Sequence, residues 1–131
     1  MTEAQVISVM RRHIETQFPK TCSMCGLVFP TLAAYLRTVK HVGAPISYDV
    51  AIGNWEPLEP IGAVSMANCC CGTTLCVTSR GMSRWNILRL LRWARAETRR
   101  RGIDMRQLLA YLRAKGEAEV LAEAVEQRTA G

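Results

Sequence analysis

Six cysteines fall in two groups, Cys22 and Cys25 in TCSMCG and Cys69, Cys70, Cys71 and Cys76 in ANCCCGTTLC. If the two groups share a purpose, the chain must fold so that two distant segments meet at one point. No other feature constrains the architecture as much. The N-terminus MTEAQVISVMRRHIETQF carries its charges within an amphipathic pattern, without the apolar stretch and small-residue cleavage site of a secretion signal. No apolar run approaches the roughly 20 residues that span a bilayer. The expected setting is therefore the reducing cytoplasm, with no membrane partner. There, closely spaced cysteines point to metal or redox chemistry rather than to a disulfide framework.

The spacing selects particular thiols. In Cys22-Ser-Met-Cys25 two intervening residues let both thiolates of one tight turn face a single ion. The glycine that follows suits the positive φ such a turn demands. In an extended segment Cys69 and Cys71 point to one side and Cys70 to the other, and Cys71-Gly72 repeats the Cys25-Gly26 ending. Cys22, Cys25, Cys69 and Cys71 are the expected ligands of one tetrahedral, structural Zn2+, with Zn–S bonds of about 2.3 Å. A Cys71/Cys76 pair is the competing choice, although GTTL would then have to double back. Otherwise Cys76 is expected as a small buried residue of a strand.

The segments CSMCGLVF and ANCCCGTTL together resemble the zinc-ribbon or treble-clef-like knuckles of small bacterial proteins, over about a third of the chain. The resemblance implies structural zinc in a binding or regulatory protein. CSMCGLVFPTLAAYLRTVKH is also similar to a two-Cys, two-His finger, but fifteen residues separate Cys25 from His41 and no second histidine follows. His41 is accordingly expected to cap the end of a helix rather than to bind metal, with the ligand role left open. His13, beside Arg11 and Arg12, is expected at the surface.

A single α+β domain over residues 1–131 is expected, in three parts. Residues 1–19 form a helix over 3–18, capped by Thr2, with Val6, Ile7, Met10, Ile14 and Phe18 at helical spacing before Pro19. Residues 20–82 form the zinc core, with a helix over 30–42 and a turn-rich loop over 43–60. IGAVSMAN and TTLCVTS then make an antiparallel hairpin with the cysteine cluster at its tip. Residues 83–131 are helical. Ser83 caps a helix over 84–101 that Gly102 ends, and Asp104 with Gln107 forms a capping box for the next. Gly116 breaks or weakens that last helix.

Lys and Arg outnumber Asp and Glu by 17 to 11, and the excess is concentrated in RWNILRLLRWARAETRRR. On a helical wheel Ile87, Leu90, Leu91 and Ala94 share one side. Arg84, Arg89, Arg92, Arg95, Arg99 and Arg100 spread over the opposite arc, with Trp85 inside it and Trp93 at its edge. Arginines beside an aromatic suit phosphates and stacked bases, and equally an acidic protein surface. A third reading pairs them internally with Glu117, Glu119, Glu123 and Glu126 of the final helix.

A catalytic zinc keeps an open position and a nearby general base, whereas four cysteines saturate the ion. The chain has no metalloprotease, deaminase or nucleophile-elbow motif and no phosphate loop, so neither an enzyme nor a small-molecule substrate is expected. The sequence points to a non-enzymatic zinc protein, a regulator that contacts nucleic acid. The alternatives are an adaptor that docks an acidic partner through Trp55, Trp85 and the arginines, and a redox or zinc sensor in which Cys70 exchanges with the cluster.

Overall fold

The computed structural model describes residues 1–47 and 63–130. Most of the turn-rich loop, including Trp55, lies outside them. The described elements are α1 (Glu3–Glu15), β1 (Lys20–Thr21), β2 (Val28–Phe29), α2 (Leu32–Thr38), β3 (Lys40–Ser47), β4 (Ala63–Asn68), β5 (Thr74–Thr78), α3 (Arg84–Arg101) and α4 (Met105–Ala130). The protein is α+β, with an N-terminal helix and C-terminal helices around two antiparallel sheets, β1-β2 and β3-β4-β5.

Local signals set most boundaries. Thr2 accepts from the Gln5 amide while the Gln5 side chain accepts from the Thr2 amide, closing a capping box at the start of α1. The helix ends at Glu15, earlier than its apolar period suggests. Thr16 turns its hydroxyl onto the His13 carbonyl, and Phe18 precedes a proline, which disfavours helical backbone. Ser83 caps α3 through the Asn86 amide, and Gly102 closes it at φ +66°. Asp104 and Gln107 bond reciprocally before α4. That helix runs unbroken through Gly116 for 26 residues, about 39 Å at 1.5 Å per residue.

The expected helix over 30–42 is only α2. Thr31 caps it through the Ala34 amide, which leaves Pro30 outside. At Val39 the backbone turns extended, with φ −91° and ψ 159°, and Lys40, His41 and Val42 pair with Asn68, Ala67 and Met66 of β4. A strand partner outcompetes the weak helix propensity of β-branched Val39 and Val42. His41 is thus a strand residue and not a helix cap. Part of the expected loop is also strand, since β3 continues to Ser47 across an irregularity between Val42 and Ile46 that contains Gly43 at φ +66°.

Two apolar clusters hold these elements together. Val6 and Ile7 of α1, Leu90 and Ala94 of α3, and Leu108, Leu109 and Leu112 of α4 form a three-helix core. Each fully buried leucine contributes roughly 1.5–3 kcal/mol. The second cluster joins Phe29, Leu32, Tyr35, Ala67, Leu75 and Val77 to Cys22 and Cys69. Tyr35 is fully buried there, with its ring edge-to-face on Phe18 at 5.5 Å and Phe29 at 5.3 Å. Helix α4 belongs to both clusters, because Val120, further along it, packs into the second. The Gln17 side chain ties the end of α1 to β5, donating to the Thr78 carbonyl at 2.7 Å and accepting from the Thr78 amide at 3.3 Å.

Candidate metal centre and basic helix face

Both cysteine turns are shaped by glycine and by backbone donors. In the first, between β1 and β2, the Cys22 amide donates to the Leu27 carbonyl and the Gly26 amide to the Cys22 carbonyl, each at 2.9 Å. Gly26 takes φ +77°, a conformation that costs most residues energy but not glycine. The amides of Cys25 and Met24 point at Cys22 Sγ, and that of Leu27 at Cys25 Sγ. The second turn is the tip of the β4-β5 hairpin. There the Cys69 amide donates to the Thr73 carbonyl and the Gly72 amide to the Cys69 carbonyl, each at 2.8 Å, with Gly72 at φ +90°. The Cys71 amide faces Cys69 Sγ, and the Thr73 amide faces Cys71 Sγ.

The fold brings these turns together. The sulfurs of Cys22, Cys25, Cys69 and Cys71 lie within 4.8 Å of one another, with Cys22 to Cys71 at 3.7 Å and Cys25 to Cys69 at 3.6 Å. Those separations exceed a disulfide bond of about 2.05 Å. They match the edge of about 3.8 Å of a tetrahedron with metal–sulfur bonds of about 2.3 Å. Cys22 and Cys69 are buried while Cys25 and Cys71 reach solvent, so the set sits at the edge of the second apolar cluster. No histidine or carboxylate joins it among the described residues. The four cysteines could hold a metal ion.

Electrostatics divide the four thiols: Cys22 and Cys71 are lowered, whereas Cys25 and Cys69 are raised. The Thr73 hydroxyl, 3.2 Å from Cys71 Sγ, and the Thr73 amide stabilise the Cys71 thiolate and bring its pKa down to about 6. Amides of Cys25 and Met24 lower Cys22 likewise. The Cys71 amide favours the Cys69 thiolate too, but desolvation and the neighbouring thiols of Cys25, Cys22 and Cys70 outweigh it and push Cys69 up to about 12. Four sulfurs this close can all be thiolates only with a cation among them. Thr73 is a feature the sequence reading missed; its signal is the hydroxyl two residues after the last knuckle cysteine.

The other candidates lie elsewhere. Cys70 is exposed, its sulfur 3.9 Å from that of Cys69. Cys76 is exposed rather than buried, because the alternation of β5 turns Leu75 and Val77 inward and Thr74 and Cys76 outward. His41 is not part of the cluster; its Nε2 pairs with the Glu117 carboxylate. His13 is half-buried, its Nε2 at 2.9 Å from the Arg80 carbonyl.

The outward face of α3 forms a shallow groove of about 530 Å³ along Trp85, Leu88, Arg89, Leu91, Arg92, Arg95, Ala96 and Arg99. Trp85 is 68% and Leu88 60% exposed, so the groove offers apolar surface between guanidiniums. Trp93 instead packs on the three-helix core. Internal pairing with the final helix does not account for the arginines: Glu117 pairs with His41 and Glu123 with Arg11. Arg84, Arg89, Arg92, Arg95 and Arg99 make no ion pair with a described residue. Arg100 is held by Glu97 at 2.7 Å, and Arg101 by Glu97 and Glu3, each at 2.8 Å.

No protein-family model, curated protein or solved structure matches the chain. No helix among the described residues is long and apolar enough to cross a membrane.

Proposed function

We propose that this is a non-enzymatic zinc protein that acts as a regulator by contacting nucleic acid through α3. In this reading Cys22, Cys25, Cys69 and Cys71 hold one Zn2+ that ties the hairpin tip to the first knuckle. Four cysteine ligands leave no open position for a reacting water, and binding four thiolates links the metal to folding. The observation that carries the nucleic-acid role is the stripe of arginines along the groove, flanking exposed Trp85 and without an ion pair among the described residues. Guanidiniums neutralise phosphates with release of counterions, and a free indole face stacks a base.

The test is fluorescence anisotropy with a single-stranded oligonucleotide over a salt series. Affinity should fall with salt at a logarithmic slope of about −0.7 per phosphate engaged. Arg92→Ala should reduce that slope, and Trp85→Ala should weaken binding by roughly 1–3 kcal/mol. A lack of saturable binding, or binding insensitive to both changes, would remove this role. Exposed Leu88 beside Trp85 favours a second reading, an adaptor for an acidic protein surface. That reading predicts binding of an acidic peptide in preference to the oligonucleotide.

A further inference from the structure

We propose that the groove along α3 takes an unpaired strand of nucleic acid and discriminates against a duplex, engaging phosphates and one base face and leaving the sugar unread. This rests on the nucleic-acid role proposed above and names the form of nucleic acid that the groove selects.

Residues seven apart on an α-helix drift by only about 20°. Trp85, Arg92 and Arg99 therefore make one row along the exposed side of α3, about 21 Å long at 1.5 Å per residue. On the same wheel Arg89 flanks the row on one side, and Leu88 and Arg95 flank it on the other. All six are exposed and line the same groove. Four guanidiniums and no carboxylate line it, so its charge suits a linear polyanion laid along the helix. Charge alone does not select the form. A duplex carries the denser phosphate charge and releases more counterions per contact, so the arginines by themselves favour it at least as much as a single strand.

Trp85 makes the selection. Trp93, on the same helix, packs on the core, whereas Trp85 is 68% exposed at one end of the row, with exposed Leu88 beside it. A duplex hides its base faces inside the stack and offers phosphates and base edges, so the indole would find no base face to cover. An unpaired base can splay out and lie on the indole, while the phosphates that follow it run down the row of guanidiniums. Only Trp, Leu, Arg and Ala line the groove. None of these side chains accepts a hydrogen bond from a 2′-hydroxyl, the group by which RNA is told from DNA.

The experiment is fluorescence anisotropy on the full, metal-replete chain at one salt concentration. The probes are a labelled mixed-sequence DNA strand free of self-pairing, its RNA counterpart, and the blunt duplex of the DNA strand. The strand should bind at least about fivefold tighter than the duplex, the lower end of what one stacked base contributes. DNA and RNA strands should differ by less than about fivefold. Trp85→Ala should weaken the strand and bring its affinity to that of the duplex, and Arg92→Ala should weaken both by similar factors. A smaller preference for the strand, a preference that survives Trp85→Ala, or a larger difference between DNA and RNA would overturn the proposal and leave a nucleic-acid role standing. No saturable binding of any probe, or displacement of the strand by polyglutamate at equal charge, would remove that role and the proposal with it.

Discussion

Replacing Gly116 with alanine gives a stability change whose sign follows from the geometry. In a helix interior alanine is favoured over glycine by about 0.8–1.0 kcal/mol. The new methyl would rest against Ile7 Cγ2 at 3.6 Å in a half-buried position. It adds roughly half of the 0.8 kcal/mol expected for a fully buried carbon. The total is a gain of about 1.3 kcal/mol. At about 2.1 cal/mol/K per residue, a chain of 131 residues has an unfolding entropy near 0.28 kcal/mol/K. The midpoint of a thermal melt should therefore rise by about 5 °C. Gly102→Ala is the control of opposite sign. No atom crowds that position, but φ is +66°, where an L-residue is strained by about 1 kcal/mol or more, so its midpoint should fall. The two melts can be run side by side by circular dichroism. A Gly116→Ala midpoint that stays level or drops would refute the reasoning that nothing in the backbone requires glycine there.

Tyr35 Oη is buried with no hydrogen-bond partner among the described residues, and desolvation raises its pKa to about 12. Tyr35→Phe, which keeps both edge-to-face contacts, should be neutral or stabilising by up to about 1 kcal/mol in urea denaturation. A loss above that would show that the hydroxyl has a partner. Glu3 is held by Lys115 and Arg101, which bring its pKa from 4.5 down to about 2. A carboxylate with a depressed folded pKa stabilises above its unfolded value and loses that contribution on acidification. The Glu3 contribution should therefore be complete above pH 4.5 and vanish as pH falls toward 2. Glu3→Gln should flatten the stability–pH curve in that window and leave its shape near neutrality unchanged.

What could be read from the sequence depended on how local the deciding interaction was. The caps at Thr2, Ser83, Gly102 and Asp104 are formed by residues within a few positions of one another, and each stands where its motif placed it. The thiols of Cys22, Cys25, Cys69 and Cys71 were also legible, because two-residue spacing and strand alternation leave few ways to aim two turns at one point. The fate of 39–47 was not, since the periodicity of LAAYLRTVKHV gives no sign that β4 waits to pair with its second half. Cys76 was misplaced because β5 has two faces and Leu75 and Val77 claim the inner one. Whether the α3 arginines pair with α4 depends on where Glu117 and Glu123 find partners. His41 and Arg11 supply them from elements remote in sequence.

The central claim is that four cysteines from two turns hold one ion. Elemental analysis of the native protein, with all six Cys→Ser variants in parallel, tests it most directly. The account predicts one zinc per chain, lost on replacing Cys22, Cys25, Cys69 or Cys71 and kept on replacing Cys70 or Cys76. A native protein without metal, or metal lost with a different set of cysteines, would contradict it.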